Sequence, residues 1–287
     1  MRTYNQVSGL AFLDNALFTT YRYEPSNATE DRNDDGEEPE TPTFQISLPA
    51  LLETLQIFGF ADVKDKWSSR DGAYSSGVDG SVARGGTAFD NRVLGMTGIC
   101  RLSYEGAGDP LCIIMEESNV TTTCELVTYE PESFEDIPFD RDNLVQKIIM
   151  RASWLHDAIS ELSSTSPERL TIISSPSAPY FSLSAAGPLG SATVEFSKDP
   201  QLLETFQVPK RTVNTYKFSL VKAAARAMAI ATKVSIRGDD QGVLSLQFMI
   251  EVENGNVSFV DFRFVPFVPG EDDESEDTPE SDAPDVE

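Results

Sequence analysis

Hydrophobic and polar residues alternate along residues 234–264, and turn-forming residues interrupt the alternation twice. A Gly-Asp-Asp-Gln-Gly run at 238–242 and an Asn-Gly pair at 254–255 separate three segments in which apolar residues lie two positions apart. Alternation broken by such turns is a strong hairpin signal, so we predict three consecutive antiparallel strands. The middle strand carries five apolar residues on one face: Leu244, Leu246, Phe248, Ile250 and Val252. A single apolar face needs a cover, and we expect helices or a second sheet to pack on it.

The order of elements that precedes this meander occurs twice in the chain. A short strand, a Ser-Leu pair and an apolar helix begin near Phe44 and again near Tyr216, and each set leads into three predicted strands. In the first half these strands are expected at 99–104, 110–116 and 120–127. The self-similarity predicts a duplicated α+β unit, arranged as a two-domain pseudo-repeat.

The spacing of apolar residues predicts the remaining elements. Helices are expected over 49–59, from about 153 to 163, and from Leu220 to about Lys233. Residues 10–23 are interpreted as a strand because aromatic residues and threonine end the segment. Further strands are expected at 43–47, 144–150, 169–175, 179–185, 191–197 and 216–220.

Negative charge is concentrated in two segments of this acidic chain, whose net charge is -25. Residues 271–287 carry ten acids and no base, and residues 24–42 carry eight acids and one base. Both contain few apolar residues, so we predict that they are disordered and that the folded part is only mildly acidic. No segment approaches the roughly 20 consecutive apolar residues of a membrane helix, and no membrane contact is predicted.

The sequence offers no recognisable catalytic centre. His156 is the single histidine, which excludes a site with several histidine ligands, and no phosphate-binding glycine motif occurs. Cys100, Cys112 and Cys124 lie in predicted strands without CxxC spacing, which favours buried free thiols. The acids at strand ends are interpreted as turn formers: Glu116, Glu117, Asp239 and Asp240. We therefore predict no catalytic residue, no metal and no cofactor.

One predicted helix is basic in this acidic chain. Residues 220–233 contain no acid, and Lys222, Arg226 and Lys233 have offsets that place them on one face of a continuous helix. Such a face suits contact with phosphates, which depends on charge and not on base sequence. A solvated face near a helix C-terminus, where cations are favoured, is the alternative interpretation.

Three segments carry a resemblance to a known family: FQISLPALLETLQIFG, RLSYEGAGDPLCIIMEE and KVSIRGDDQGVLSLQFMIEVENG. Together with the order of elements and the acidic linker, they resemble sliding clamps of the PCNA type. Among these, the chain is most similar to Rad-one type subunits of the heterotrimeric DNA-damage checkpoint clamp, the nine-one-one complex. The likeness covers most of residues 7–266.

The resemblance implies an α+β fold of two similar clamp domains, with antiparallel sheets outside and helices lining a channel. It assigns 1–128 to the N-terminal domain, 129–142 to the interdomain connector and 143–268 to the C-terminal domain. Residues 269–287 would form a disordered acidic tail, and 24–42 and 61–92 would be insertions. The family's first domain begins with a strand, a helix and two strands that have no counterpart here. We therefore expect an incomplete first domain or a misassigned start codon.

The resemblance also implies partners and contact residues. The ring would contain two other clamp subunits, of the Rad-nine and Hus-one types, would be placed around double-stranded DNA by a clamp loader, and would act in the nucleus. Lys222, Arg226 and Lys233 would face DNA, which is encircled without sequence specificity. Seven residues belong to the strands expected at subunit contacts: Val120, Thr122, Cys124, Leu126, Ala192, Val194 and Phe196. Two alternatives remain, a 3′–5′ exonuclease and a protein-binding adaptor without DNA contact.

Overall fold

The computed structural model describes residues 6–24, 41–57, 99–117, 120–131, 136–252 and 255–267. The predicted insertion at 61–92, most of the acidic segment 24–42 and the tail 269–287 lie outside these residues. The chain divides into two compact units. The C-terminal unit comprises Met1–Ala11, Ile137–Met249 and Phe259–Glu287, and the N-terminal unit comprises Phe12–Asp136 and Ile250–Ser258.

The N-terminal unit is built around a short helix and a three-stranded meander. The helix α1 (Leu48–Ile57) begins after Ser47, whose hydroxyl accepts a hydrogen bond from the Ala50 N–H at 3.4 Å. The strands β3 (Ile99–Ser103), β4 (Leu111–Glu117) and β5 (Val120–Leu126) follow, as the alternation predicts. They form an antiparallel sheet in the order β3-β4-β5, while β2 (Gln45–Ile46) pairs with β6 (Thr128–Tyr129).

The C-terminal unit contains two sheets and helices whose buried residues share one hydrophobic core. The four-stranded sheet has the order β10-β9-β8-β12, and the six-stranded sheet has the order β1-β15-β14-β13-β7-β11. The bounds of these elements are β1 (Val7–Phe12), β7 (Leu144–Arg151), α2 (Ala152–Leu162), β8 (Arg169–Ser174), β9 (Phe181–Gly187), β10 (Gly190–Phe196), β11 (Leu203–Gln207), β12 (Thr212–Lys217), α3 (Phe218–Ala223), α4 (Ala225–Ile230), β13 (Lys233–Asp239), β14 (Leu244–Glu251) and β15 (Val257–Phe264).

The predicted meander at 234–264 is confirmed, and its apolar face is buried. Leu244, Leu246 and Phe248 of β14 join a core that also includes residues of α2, β8, β9, α3 and α4. The amphipathic pattern of α2 follows the same rule, because one helical stripe is buried and the other meets solvent. Its buried residues are Ala152, Leu155, Ala158, Ile159 and Leu162.

The predicted helix from Leu220 to Lys233 is wrong at its C-terminal end. The backbone is helical from Phe218, is interrupted at Ala224 (ψ -1°), and leaves helical geometry at Ala231 (ψ 147°). The Thr232 N–H donates to the carbonyl of Met249 at 2.9 Å, so the backbone has already joined the ladder with β14 there. Lys233 therefore begins β13 and does not belong to the helix.

Two further differences concern strands. The sequence analysis missed β11, which pairs with β7 through a short and irregular register. Residues 10–23 are extended only as far as Phe12, because β1 ends there and a 3-10 turn over Asn15–Leu17 follows. That strand belongs to the six-stranded sheet, although the predicted N-terminal domain includes it.

Candidate nucleic-acid interface and open sheet edges

Two helices of the C-terminal unit pack side by side and expose polar faces. Helix α2 contacts α4, where small alanine side chains allow close approach. Ala158 of α2 and Ala227 of α4 are both buried in the core. The exposed face of α2 is acidic, with Asp157 and Glu161, and its half-buried His156 lies 3.6 Å from the Asp157 carboxylate.

Two exposed bases beside α2 come from α3 and α4. Lys222 and Arg226 are both exposed, but they lie in two short helices separated by the interruption at Ala224, and not in the continuous helix that the sequence predicts. The Lys222 ammonium donates a hydrogen bond to the Ser163 hydroxyl at 2.6 Å, which fixes its direction beside the C-terminal end of α2. Arg226 has no acidic partner among the residues that the structure describes.

Lys233 has a different environment. It begins β13, and its ammonium lies 2.6 Å from the Glu204 carboxylate of β11. A base that already has a carboxylate partner gains less from a phosphate, because the existing ion pair must first separate. Lys222 and Arg226 therefore differ from Lys233, because neither has a carboxylate partner among the described residues. The sequence missed this difference because Glu204 lies in the unpredicted strand β11.

Two strands predicted at subunit contacts lie at open edges of their sheets. Strand β5 ends the three-stranded sheet and β10 ends the four-stranded sheet, so each has one side without a partner among the described strands. Their exposure patterns are identical: both start exposed, alternate, and end on a buried residue, Leu126 or Phe196. An open edge offers backbone N–H and carbonyl groups to another strand.

The seven predicted contact residues do not all offer side chains at these edges. Leu126 and Phe196 are buried in their own cores, and Cys124, Ala192 and Val194 pack against those cores. Thr122 shares their face, because it pairs with the buried Met115. The opposite face carries the exposed side chains Thr121, Thr123, Glu125, Ser191, Thr193 and Glu195. A partner strand would therefore meet the backbone together with this hydroxyl-rich face.

A buried charge cluster lies on the face of the six-stranded sheet opposite the apolar core. Asp261 Oδ1 accepts a hydrogen bond from the Ser245 hydroxyl at 2.6 Å and lies 3.6 Å from Arg237. Arg237 donates to the same hydroxyl at 2.9 Å, and Arg263 lies 3.8 Å from Asp261. Burial lowers the pKa of the Arg237 guanidinium, and the charge of Asp261 opposes this effect.

The end of the predicted connector lies over this cluster. The carbonyl of Ile137 accepts a hydrogen bond from Arg263 at 2.8 Å, and the ring of Phe139 covers Arg237 at 5.6 Å. The Asp140 N–H donates to Asp239 at 3.4 Å. Residues 137–140 are thus held by charge-assisted and aromatic contacts, which the acidic and proline-rich sequence did not reveal.

The described residues do not assemble a metal or nucleophile centre. Within these ranges, no three histidine, cysteine or acidic side chains are grouped as metal ligands would be. His156 has a carboxylate neighbour, and no described cysteine forms a disulfide. None of the helices in the described part of the chain is long and apolar enough to span a bilayer.

Antiparallel sheets with open edges, beside helices that expose bases, define an α+β protein of the kind found in PCNA-like clamps. Comparison of sequences gives the family. The family model described as "Repair protein Rad1/Rec1/Rad17" matches residues 3–250, and the chain belongs to this family. The resemblance drawn from the three sequence segments is confirmed.

Relatives with checkpoint and repair names cover most of the chain. It is 38% identical over 244 residues to "Cell cycle checkpoint protein RAD1" of Homo sapiens, which is 85% of this chain and 73% of the human protein. It is 32% identical over 257 residues to "DNA damage checkpoint control protein rad1" of Schizosaccharomyces pombe, which is 89% of this chain and 72% of that protein. "DNA repair exonuclease REC1" of Mycosarcoma maydis is 25% identical over 276 residues, covering 75% of this chain and 59% of that protein.

Proposed function

We propose that this chain is a non-catalytic subunit of a heterotrimeric checkpoint clamp that encircles double-stranded DNA. Its two partners would be clamp subunits of the Rad-nine and Hus-one types, and a clamp loader would place the ring on DNA in the nucleus. The ring would then serve as a platform for checkpoint signalling and repair. Family membership supports the proposal that the chain is a checkpoint clamp component. The two open edge strands are the observation that supports its assembly with two partners.

Open edges explain how one chain can bind two different neighbours. Strand β5 would pair with one partner and β10 with the other, each by adding a strand to a sheet. Backbone pairing supplies affinity, and the exposed side chains Thr121, Thr123, Ser191 and Thr193 border the contact. Because the edges belong to separate sheets, each contact can be removed on its own.

The test is co-expression with the two partners, followed by size-exclusion chromatography with mass determination. We expect a 1:1:1 complex for the natural chain. Thr193→Lys places a charge at the β10 edge and should remove one partner, while Thr123→Lys at β5 should remove the other. Each should weaken its own contact at least tenfold, which corresponds to about 1.4 kcal/mol.

Val213→Lys provides the matched control for Thr193→Lys. Val213 is exposed on the same face of the same sheet, but in β12 at the opposite edge. It should leave the 1:1:1 complex intact. Loss of both partners in every variant, or assembly unaffected by both edge variants, would contradict strand pairing at these edges.

DNA contact is proposed to rest on Lys222 and Arg226, with little from Lys233. Phosphate contacts release counterions, so the logarithm of affinity falls with the logarithm of salt by about 0.9 per contact. The double variant Lys222→Glu with Arg226→Glu should reduce retention of the loaded complex on closed circular DNA. It should also make the salt slope shallower by about 2. Lys233→Gln should leave the salt slope nearly unchanged, because the Lys233 ammonium already forms an ion pair with Glu204.

Exposed bases away from the helices serve as the control. Lys210 and Arg211 lie on the turn before β12 and are both exposed. Their double replacement by Glu changes net charge equally and should preserve both retention and slope. If both double variants lose DNA retention equally, the effect is due to net charge. Lys222 and Arg226 would then not be the DNA-facing residues.

The exonuclease named in the relative from Mycosarcoma maydis is the second candidate. Under this alternative, the strands of a 5′-labelled duplex incubated with Mg²⁺ or Mn²⁺ would be shortened from their 3′ ends by the purified chain. We expect no shortening, because metal-assisted hydrolysis requires grouped ligands. Activity that copurifies with the chain and is lost on replacing one acid would overturn the non-catalytic proposal.

A further inference from the structure

An open groove crosses the exposed face of the four-stranded sheet. Its volume is about 520 Å³, and its lining comes from β8, β9 and β12 together with the Ser166–Glu168 turn. Arg169 lies at one end, and the hydroxyls of Thr171 and Thr215 lie 3.2 Å apart in its floor. The core of this sheet lies on the opposite face, so the groove is a feature of the surface and not a packing defect.

Two bases lie opposite each other on adjacent strands beside the groove, and one of them, Arg169, lines it. Arg169 and Lys217 are direct cross-strand partners in the pairing of β8 with β12, and both are exposed. Like charges opposite each other in a sheet are destabilising. Within the described ranges neither base has an acid at ion-pair distance, and Glu168 is the one acid that lines the groove. This arrangement favours an anionic ligand.

The last described residue brings the C-terminal chain to the same place. The Phe267 N–H donates to the carbonyl of Thr215 at 2.7 Å, so the chain adds to the free edge of β12. The Arg169 guanidinium covers the Phe267 ring at 5.0 Å. Residues 268–287 follow directly, and they include the ten acids and no base of 271–287.

We propose that this groove is an acidic-peptide site and that the chain's own segment 271–287 occupies it. An extended chain advances by at most about 3.5 Å per residue, so the four residues that follow Phe267 can span at most roughly 14 Å. The tether keeps the acids at high local concentration, and weak individual ion pairs are then sufficient for occupancy. The tail offsets the Arg169–Lys217 repulsion and keeps acidic segments of other proteins out of the groove.

Zero-length carbodiimide cross-linking of the full chain tests this contact. The reagent joins a lysine amine to a carboxylate only where they touch, and mass spectrometry locates each link. We expect Lys217 to be linked to acids of 271–287 at least about threefold more than the equally exposed Lys210. Raising the salt concentration should lower this yield, because exposed pairs are screened.

Two matched arginine variants distinguish an effect of the groove from an effect of net charge on cross-linking. Arg169→Glu should reduce the Lys217–tail link about threefold, whereas Arg211→Glu, at the other end of β12, should not. Circular dichroism checks that both variants are folded. Equal links at Lys217 and Lys210, or equal effects of the two variants, would overturn the proposal. An equal mixture of ¹⁴N and ¹⁵N chains assigns the source. Links within one chain join only like isotopes, whereas mixed-isotope links in about half of the linked pairs would make a second copy's tail the occupant and would overturn the proposal.

Discussion

The two meanders share one alternation of apolar and polar residues but differ in what covers them. In the first meander, β3 is exposed throughout, with Ile99 at 68% and Leu102 at 48% of full exposure. Its buried core consists of Ile113, Met115 and Leu126 within the described ranges. In the second, both edges of β13 are paired and its apolar face joins the large core of the C-terminal unit.

This difference indicates that the strand pattern and the stability of the strands have separate causes. Alternation specifies which residues form a strand and which face is apolar. Stability comes from the helices, sheets and charges that cover the two faces. The second meander is covered on both faces, by the core on one side and by residues 137–140 with the Arg237–Asp261–Arg263 cluster on the other.

The largest expected effect comes from removing the charge that joins this cluster. Asp261→Ala removes the carboxylate beside the Arg237 guanidinium, which is 12% exposed, and the loss of one partner of such a pair typically costs about 3–5 kcal/mol. We expect this loss in the free energy of unfolding by urea titration. Asp109→Ala, at the exposed turn of the first meander, should change it by less than about 0.5 kcal/mol. If both variants lose a similar amount of unfolding free energy, the buried cluster does not stabilise the second meander more than an exposed turn residue stabilises the first.

Core truncation should distinguish the meanders by the extent of the damage. Leu246→Ala and Met115→Ala each remove a buried side chain, and we expect about 2–5 kcal/mol for each. Hydrogen exchange should show Leu246→Ala accelerating amides throughout the C-terminal unit. Met115→Ala should accelerate amides of α1, β2 and β3–β5 only, because these elements form a separate core cluster or pair with its strands. Uniform acceleration by Met115→Ala would mean that the two cores unfold as one.

The sequence was sufficient for the elements whose physical cause is local. The alternation in 244–252 and the turns at 238–242 and 254–255 specify β13–β15, and the family resemblance specifies the class of fold. The helical repeat predicted the offset of Lys222 and Arg226 on one continuous helix. The interruption at Ala224 lies between these two residues, and the repeat did not predict it. The roles assigned to these two bases and to the edge strands stay predictions.

Features that depend on distant residues could not be predicted. Helix α4 ends because Thr232 bonds to Met249, and Lys233 is neutralised by Glu204 of the unpredicted β11. Arg237, Ser245 and Asp261 come from three strands, and only the strand register brings them together. A polar residue at every second position of a strand looks like a solvated face, so the sequence gives no sign that residues 137–140 cover it.

The ionisation of a buried tyrosine should make a smaller difference to the pH dependence of stability in the two units. Tyr216 is buried and its hydroxyl donates to the Gly242 carbonyl at 2.7 Å. Burial, and then the charge of Asp239, raise the pKa of Tyr216 above its ordinary value. Its contribution to stability is therefore complete below pH of about 10 and is lost at higher pH, where an unfolded tyrosine ionises first.

Tyr216→Phe should cost about 1 kcal/mol at neutral pH through the lost hydrogen bond. It should also reduce the decline of stability above pH of about 10, measured by urea titration at each pH. Tyr129→Phe, in the exposed strand β6, should change neither quantity. A decline in the Tyr216→Phe variant as steep as in the natural chain would assign the alkaline effect to other groups.

The smallest expected effect concerns the exposed ion pair of Lys233 and Glu204. Glu204→Gln should change the free energy of unfolding by less than about 1 kcal/mol, because both side chains remain largely hydrated. The same variant frees the Lys233 ammonium, so the assembled complex should gain one phosphate contact and a salt slope steeper by about 0.9. Combining it with Lys233→Gln should return the slope to that of the natural chain. If Glu204→Gln leaves the salt slope unchanged, Lys233 does not face the phosphates even when its ammonium is free. The proposed DNA contact would then rest on Lys222 and Arg226 alone.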